Sequence, residues 1–284
     1  MTRIALVISD VDGTLLSENK SITEGAMSAV QRLRDANIGF TITSSRPTVG
    51  MHFLVEPLQI TLPMGAFNGS AIVDPRMNPI EQRLIPPAIA RRSLELLDNI
   101  GVDIWLFTHD QWPTRNDDGE FVALERWAIK ADPSVIDDFT PYLGQTCKIV
   151  GSTSNAAQLM RCERAIQEAF GAEVTAARSQ HFYLDITPRG CDKGTFVQAM
   201  ARRLGIACDA IATIGDMPND LAMFAASGLS FAMGNASDEV KRHAKRVTAS
   251  NEEDGFAKAI AVILRENGSD QVSAPSLPGL RTPL

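Results

Sequence analysis

The chain has 284 residues, enough for about two domains with cores of their own, which excludes a mini-protein held together by disulfides. Hydrophobic residues make up 44% and charged residues 21%, ordinary globular usage that excludes collagen-like, disordered and membrane-spanning material. A formal charge of −7 repels a phosphate backbone and argues against nucleic acid as a partner.

Ile4 to Ile8 is a continuous aliphatic run that reads as a strand buried on both faces, and it ends in Asp10-Val11-Asp12-Gly13. The run is too short for the apolar core of a secretory signal. No later run reaches the ~18 apolar residues of a membrane helix, so a cytoplasmic protein with no membrane partner is expected. Thr23 is placed to cap a helix in which Ala26, Val30 and Leu33 recur at helical spacing, with Asn37 and Gly39 closing it. Phe40 to Thr43 is a second strand, ending in Ser44-Ser45-Arg46. Strand, helix and strand at this spacing form a βαβ unit and imply a parallel sheet.

The texture changes over 84–187. Helical stretches at 86–99 and 154–170 alternate there with strand-like runs at 102–107, 146–150, 173–177 and 182–186, which reads as an inserted α+β domain. Trp105, Trp112 and Trp127 are expected in its core. The earlier grammar then returns: a helix from Lys193 to Leu204 stopped by Gly205, a strand from Ala210 to Ile214 ending in Gly215-Asp216, a helix from Leu221 to Ala226, and a strand from Leu229 to Met233. Residues 1–83 and 188–267 are therefore expected to form one doubly wound α/β domain. The Pro-rich tail 268–284 is expected to be flexible. Cys147, Cys162, Cys191 and Cys208 are scattered singly, as structural thiols in a reducing compartment would be.

In open α/β sheets the ligand site lies beyond the carboxyl ends of the strands, where Asp10, Ser44 and Asp216 all fall. Helix capping explains one Asp per turn but not the close pair Asp10 and Asp12. Two acids beside a buried strand need a positive partner, and a hard divalent cation such as Mg²⁺, held also by Asp216 and Asp220, supplies it. Asp10 is then a candidate nucleophile on phosphorus. Asp12 is a candidate proton donor and acceptor if its neighbours raise its pKa. Ser44 offers a hydroxyl to phosphoryl oxygens, and Lys193 offers a charge at a helix N-terminus. His52, His109, His181 and His243 are isolated, and only His109 and His181 lie in the insertion, where a substrate could meet them. The basic run from Lys241 to Arg246 reads as a solvated helix face.

Asp10-Val11-Asp12-Gly13-Thr14-Leu15, Ser44-Ser45-Arg46, Lys193-Gly194 and Gly215-Asp216-Met217-Pro218-Asn219-Asp220 together resemble the four motifs of the haloacid dehalogenase superfamily. Phe67-Asn68-Gly69, Asp185-Ile186-Thr187-Pro188, Met233-Gly234-Asn235-Ala236 and Asn251-Glu252-Glu253-Asp254-Gly255 are similar to its Cof-type sugar-phosphate phosphatases. The resemblance implies a Rossmann-like core with a type-IIB α+β cap inserted between the second and third motifs. It also implies an Mg²⁺-dependent phosphomonoester hydrolase that acts on a small phosphorylated metabolite, a sugar phosphate, through an aspartyl phosphate.

Carried over by position, Asp10 is the nucleophile and Asp12 the general acid/base. Mg²⁺ is held by the Asp10 carboxylate, the Asp12 carbonyl and the Asp216 carboxylate, with Asp220 steadying a metal-bound water. Ser44 and Lys193 hold the phosphoryl group, Asn219 orients Lys193 or the phosphate, and Arg46 and Asn68 are candidates for substrate contact or loop support. The chain departs from the subfamily's usual Thr-Gly-Arg at Ser44-Ser45-Arg46. A phosphomutase or phosphotransferase, and a metal-dependent binder of phosphometabolites without turnover, are the alternatives. A monomer or weak homo-oligomer is expected, since no exposed apolar seam stands out.

Overall fold

The structure is a computed structural model that describes residues 2–268. In chain order the elements are β1 (Leu6–Ser9), α1 (Glu24–Asp35), β2 (Gly39–Ile42), α2 (His52–Leu58), β3 (Met64–Ala66), β4 (Ala71–Val73), β5 (Pro79–Gln82), α3 (Pro87–Ile100), β6 (Asp103–Phe107), β7 (Pro113–Thr114), α4 (Val122–Ile129) and β8 (Ser134–Val135). There follow β9 (Lys148–Ser152), α5 (Ala156–Phe170), β10 (Val174–Gln180), β11 (Tyr183–Pro188), α6 (Lys193–Leu204), β12 (Ile211–Gly215), α7 (Leu221–Ala226), β13 (Leu229–Ala232), α8 (Asp238–His243), β14 (Arg246–Val247) and α9 (Gly255–Glu266).

Local chemistry sets the helix ends. The Thr23 side chain accepts from the Ala26 N–H at 3.0 Å to start α1. Asp192 and Thr195 form a reciprocal capping box at the head of α6, and Gly205 closes that helix in the left-handed region.

Five parallel strands in the order β14-β13-β12-β1-β2 form the first sheet. Alternation along β1 divides its sides. Val7 packs with residues of α1 and α9, whereas Leu6 and Ile8 pack with residues of α6 and α7. The chain moves outward from β1 to β2 on one side and from β12 to β14 on the other. The carboxyl ends of β1 and β12 therefore lie side by side at the switch point. A small antiparallel sheet, β3-β4-β5, joins this unit through a bridge between Thr43 and Gly65.

The second large sheet, β10-β11-β9-β6-β7-β8, is antiparallel apart from its β7–β8 pair. One face is apolar: Ile104, Leu106, Ile149, Leu184 and Ile186 pack with residues of α3 and α5. The other face carries Trp105, Lys148, Val150, Tyr183 and Asp185 toward the strand ends of the first sheet. The architecture is thus a doubly wound Rossmann-like parallel sheet with an inserted α+β cap.

Helices α6 and α7 begin and end where the sequence places them. The eight strands expected from the sequence lie within about two residues of expectation, except that β10 runs on to Gln180, whereas the short strands β3, β4, β5, β7, β8 and β14 are not anticipated. Trp105 and Trp112 are buried and meet edge-to-face, but on the face of the cap sheet turned toward the first sheet rather than in the cap's own apolar layer against α3 and α5, the core in which the sequence reading puts them. Trp127 is not core. It is 49% exposed on α4, a helix whose exposed and half-buried side chains break the simple apolar period. The four cysteines are free thiols. Apart from Gly268, the tail lies outside the described residues. No helix among the described residues is long and apolar enough to cross a membrane.

Candidate active site

The strand ends assemble a carboxylate cluster around one ammonium. Asp10 follows β1, its N–H donating to the Ile214 carbonyl at 2.8 Å, and Asp216 follows β12. Lys193 Nζ, 1% exposed at the head of α6, donates to Asp10 Oδ1 and Asp220 Oδ1, each at 2.6 Å. Asp220 Oδ2 accepts from the backbone N–H groups of Asp216 and Met217 at 2.8 and 2.9 Å, so its carboxylate anchors both Lys193 and the motif turn. Asp216 Oδ1 accepts from Thr14 Oγ1 at 2.9 Å. Asn235 Nδ2 reaches Asp216 Oδ2 at 3.3 Å and the Gly13 carbonyl at 2.9 Å.

Burial raises the pKa of Asp10 well above the ordinary carboxylate value; Lys193 opposes this, and Asp220 and Asp216 add to it. Burial and then Asp220 raise Asp216 likewise. For Lys193 burial acts downward, but Asp10 and Asp220 outweigh it and keep the side chain charged.

Oxygen atoms of Asp10, Asp216 and Asp220 lie within 4.8 Å of one another. Three carboxylates face a single lysine, leaving two negative charges for a divalent cation, and the donors are all hard oxygens. The turn leaves space as well. Gly13 has φ +76°, and a Cβ there would fall 2.3 Å from Asp216 Oδ2, so only glycine keeps that carboxylate in place. The residues present fit a bound Mg²⁺.

Asp12 is placed differently from the sequence expectation. Arg46 holds it through Nε–Oδ2 at 2.6 Å and Nη2–Oδ1 at 2.9 Å, and Lys20 Nζ lies 2.6 Å from Oδ1. Burial would raise its pKa, but Arg46 and then Lys20 outweigh burial and lower it to about 2. Its neighbours therefore favour the ionised form rather than the proton-loaded one. Arg46 is committed to Asp12 and to the Gly50 carbonyl at 3.0 Å.

Ser44 is buried. Its Oγ accepts from the Arg46 N–H at 3.1 Å, and its carbonyl accepts from the Asn68 N–H at 2.8 Å. Ser45 takes the usual glycine position without a positive φ, so its Cβ brings no backbone strain. Asn219 does not orient Lys193; its Nδ2 donates to Asn68 Oδ1 at 3.0 Å, while Asp10 and Asp220 fix the ammonium.

Above the cluster is a cavity of about 770 Å³ lined by Asp10, Asp12, Ser45, Arg46, Asn68, Asp216 and Asn219 below and by cap side chains above. Ser44 and Lys193 are covered and do not line it. His109 and His181 do not line it either: His109 lies against Asp110, and His181 against Phe182. From the cap, Glu125, Lys148, Tyr183 and Asp185 face the cavity. Burial raises the Glu125 pKa, with Lys148 opposing.

Sequence reasoning passed over Lys20, Glu125, Lys148 and Tyr183, and it met Thr14, Asn235 and Asp185 only as members of motifs, without a role. Asn235 carried a signal in its Gly-Asn turn motif, whereas Lys20 meets Asp12 only through the fold.

The haloacid dehalogenase-like hydrolase family model matches residues 7–260. The pyridoxal phosphate phosphatase YbhA of Escherichia coli is 26% identical over 265 residues, covering 90% of this chain and 97% of its own. The crystal structure of a haloacid dehalogenase-like hydrolase from Bacteroides thetaiotaomicron superposes with a TM-score of 0.86 at 25% identity, covering 92% of this chain and all of that one. A subclass IIB sugar phosphatase of the superfamily shares the fold with a TM-score of 0.77 at 20% identity, covering 94% of this chain and 99% of that one. With its parallel sheet, inserted cap and clustered motif carboxylates, the chain belongs to the haloacid dehalogenase-like hydrolase family.

Proposed function

We propose that this haloacid dehalogenase-like phosphatase hydrolyses the monoester of a small phosphorylated metabolite, a sugar phosphate, through a covalent phosphate on Asp10 and with Mg²⁺ as cofactor. The observation that carries the reading is the Asp10–Lys193–Asp220–Asp216 cluster at the floor of the cavity between core and cap. Asp10 and Asp216, with the carbonyl of Asp12, would hold the cation. When bound, it screens the approach of a carboxylate to a phosphate dianion.

In the first half, an Asp10 carboxylate oxygen bonds to phosphorus as the bond from phosphorus to the ester oxygen breaks, and the departing oxygen takes a proton from Asp12. In the second half, water bonds to phosphorus, Asp12 takes its proton, and the bond from phosphorus to Asp10 breaks to release inorganic phosphate. Asp12 ionised beside Arg46 and Lys20 is set for the second half. To donate in the first half it must leave those partners and take up a proton from solvent before the ester oxygen departs. Ser44, Lys193 and Asn219 support the phosphoryl end, with Asp220 anchoring Lys193 beneath. The inserted unit, residues 84–187, closes the cavity and selects the leaving group, and it sits on the core of 1–83 and 188–267.

The names of the relatives keep the substrate class within small phosphorylated metabolites: one is a pyridoxal phosphate phosphatase and a neighbour in fold is a sugar phosphatase. The test is phosphate release from a panel of phosphorylated sugars and cofactors, with and without Mg²⁺, using Asp10→Asn as the blank. Metal-dependent release that vanishes in the variant supports the reading. Consumption of ester without free phosphate points instead to phosphoryl transfer, and no turnover by folded, metal-loaded protein points to binding alone.

A further inference from the structure

The wall of the cavity opposite the carboxylate cluster is built by strand register. Asp185 pairs with Val150, which pairs with Trp105, so these three stand in one row across β11, β9 and β6. Lys148 and Tyr183 lie two residues along their strands and share the face. Asp185 is 7% exposed. Its Oδ2 lies 3.4 Å from Lys148 Nζ, and its Oδ1 has no hydrogen-bond partner among the described residues. A buried carboxylate oxygen without a donor is costly and is rarely left so. Lys148 Nζ also reaches the Ser45 carbonyl at 3.5 Å, which ties this wall to the motif loop below. Glu125 on α4 completes the group beside Tyr183, whose hydroxyl donates to the Phe121 carbonyl at 3.4 Å. Arg178 pairs with Leu184 in the register, so its side chain lies on the opposite face of the sheet, where it meets Glu163 of α5 at 3.0 Å.

Resting on the phosphatase reading above, we propose that Asp185, held by Lys148 and flanked by Glu125, is the specificity-determining acceptor for the leaving group. It selects alcohols that bring a hydroxyl or N–H donor to Oδ1 and carry no second anionic group. Two carboxylates face one lysine on this wall, so a hydroxyl gains a charge-assisted hydrogen bond where a second phosphate or carboxylate meets like charge.

The experiment compares kcat/KM for three probes: sorbitol 6-phosphate, which offers neutral hydroxyls; 6-phosphogluconate, which ends in a carboxylate; and phenyl phosphate, which offers no donor. The native protein is expected to favour sorbitol 6-phosphate over 6-phosphogluconate by at least about 10-fold. Asp185→Ala should lower kcat/KM for sorbitol 6-phosphate by roughly 10- to 100-fold while leaving phenyl phosphate within about 3-fold. Asp185→Asn keeps the shape and an oxygen acceptor without the charge. It should narrow the gap between sorbitol 6-phosphate and 6-phosphogluconate, and it carries the test if the alanine variant does not fold. Equal losses on all three probes, unchanged ratios, or a native preference for 6-phosphogluconate would overturn the assignment. Absence of phosphate release from every probe by the native, Mg²⁺-loaded protein would instead remove the phosphatase reading on which it rests.

Discussion

Replacing Lys193 by Met removes the one ammonium shared by Asp10 and Asp220 while leaving the length of the side chain in place. Both ion pairs are 2.6 Å long, and Lys193 and Asp220 are essentially inaccessible to solvent. Breaking a buried pair by removing one partner costs about 3–5 kcal/mol, because the remaining charge stays buried without compensation. At roughly 2–4 °C per kcal/mol for a chain somewhat smaller than this one, the expected fall in melting temperature is about 6–20 °C.

The deficit depends on pH with a definite sign. Lys193 holds the Asp10 pKa down against burial, so without it the folded-state pKa of Asp10 rises further above the unfolded value. A raised carboxylate pKa means that the folded state keeps its proton longer than the unfolded chain. Stability is then lost as pH climbs from the ordinary carboxylate value through the raised one. Urea unfolding of Lys193→Met should therefore show a larger deficit at pH 8 than at pH 5. A loss below about 1 kcal/mol at pH 8, or equal losses at the two values, would refute the argument that this lysine neutralises the cluster.

Four further outcomes follow from other contacts. Gly13→Ala should abolish most activity and weaken Mg²⁺ binding measured by calorimetry while the protein stays folded, because its Cβ would collide with Asp216 Oδ2 at a φ of +76°. Arg46→Lys keeps the charge but loses the two-pronged grip on Asp12, and kcat should fall by about 10-fold or more in steady-state assays with a smaller change in KM. Trp127→Ala should change unfolding free energy by less than about 1 kcal/mol, whereas Trp112→Ala should cost about 3–5 kcal/mol, the difference between an exposed rim and a packed core. With Ellman's reagent at pH 8, the folded protein should expose only Cys191 and Cys208 to reaction, and the unfolded chain all four thiols, since burial raises the Cys147 pKa to about 12 and that of Cys162 to about 11.

What the sequence reveals most clearly is what local chemistry decides. Gly205 stops α6 where the sequence reading puts its end, and aliphatic runs that stop at Asp10 and Asp216 mark strands whose ends must meet at a switch point. Helix α4 is less legible, because Leu124 and Trp127 are exposed beside half-buried Glu125, and no single apolar stripe announces the helix. The ion pair of Asp12 with Arg46 and Lys20 is also beyond local reading. Arg46 is 34 residues away on another strand end, and Lys20 sits in a loop at a φ of +58°. The sequence gives Asp12 a proton-carrying task, and only the assembled loops show which protonation state its neighbours favour. The cap wall falls between these cases. Its alternation is visible along β11, but that Asp185, Val150 and Trp105 share one row depends on strand pairing.

The central claim is a phosphate carried by Asp10. Native protein mixed with an active phosphomonoester and Mg²⁺, quenched in acid within milliseconds, reduced with borohydride and mapped by mass spectrometry should yield homoserine at position 10 and at no other aspartate, with none in a reaction lacking Mg²⁺. Rapid phosphate release with Asp10 unmodified at every quench time, or the label on another residue, would contradict the account.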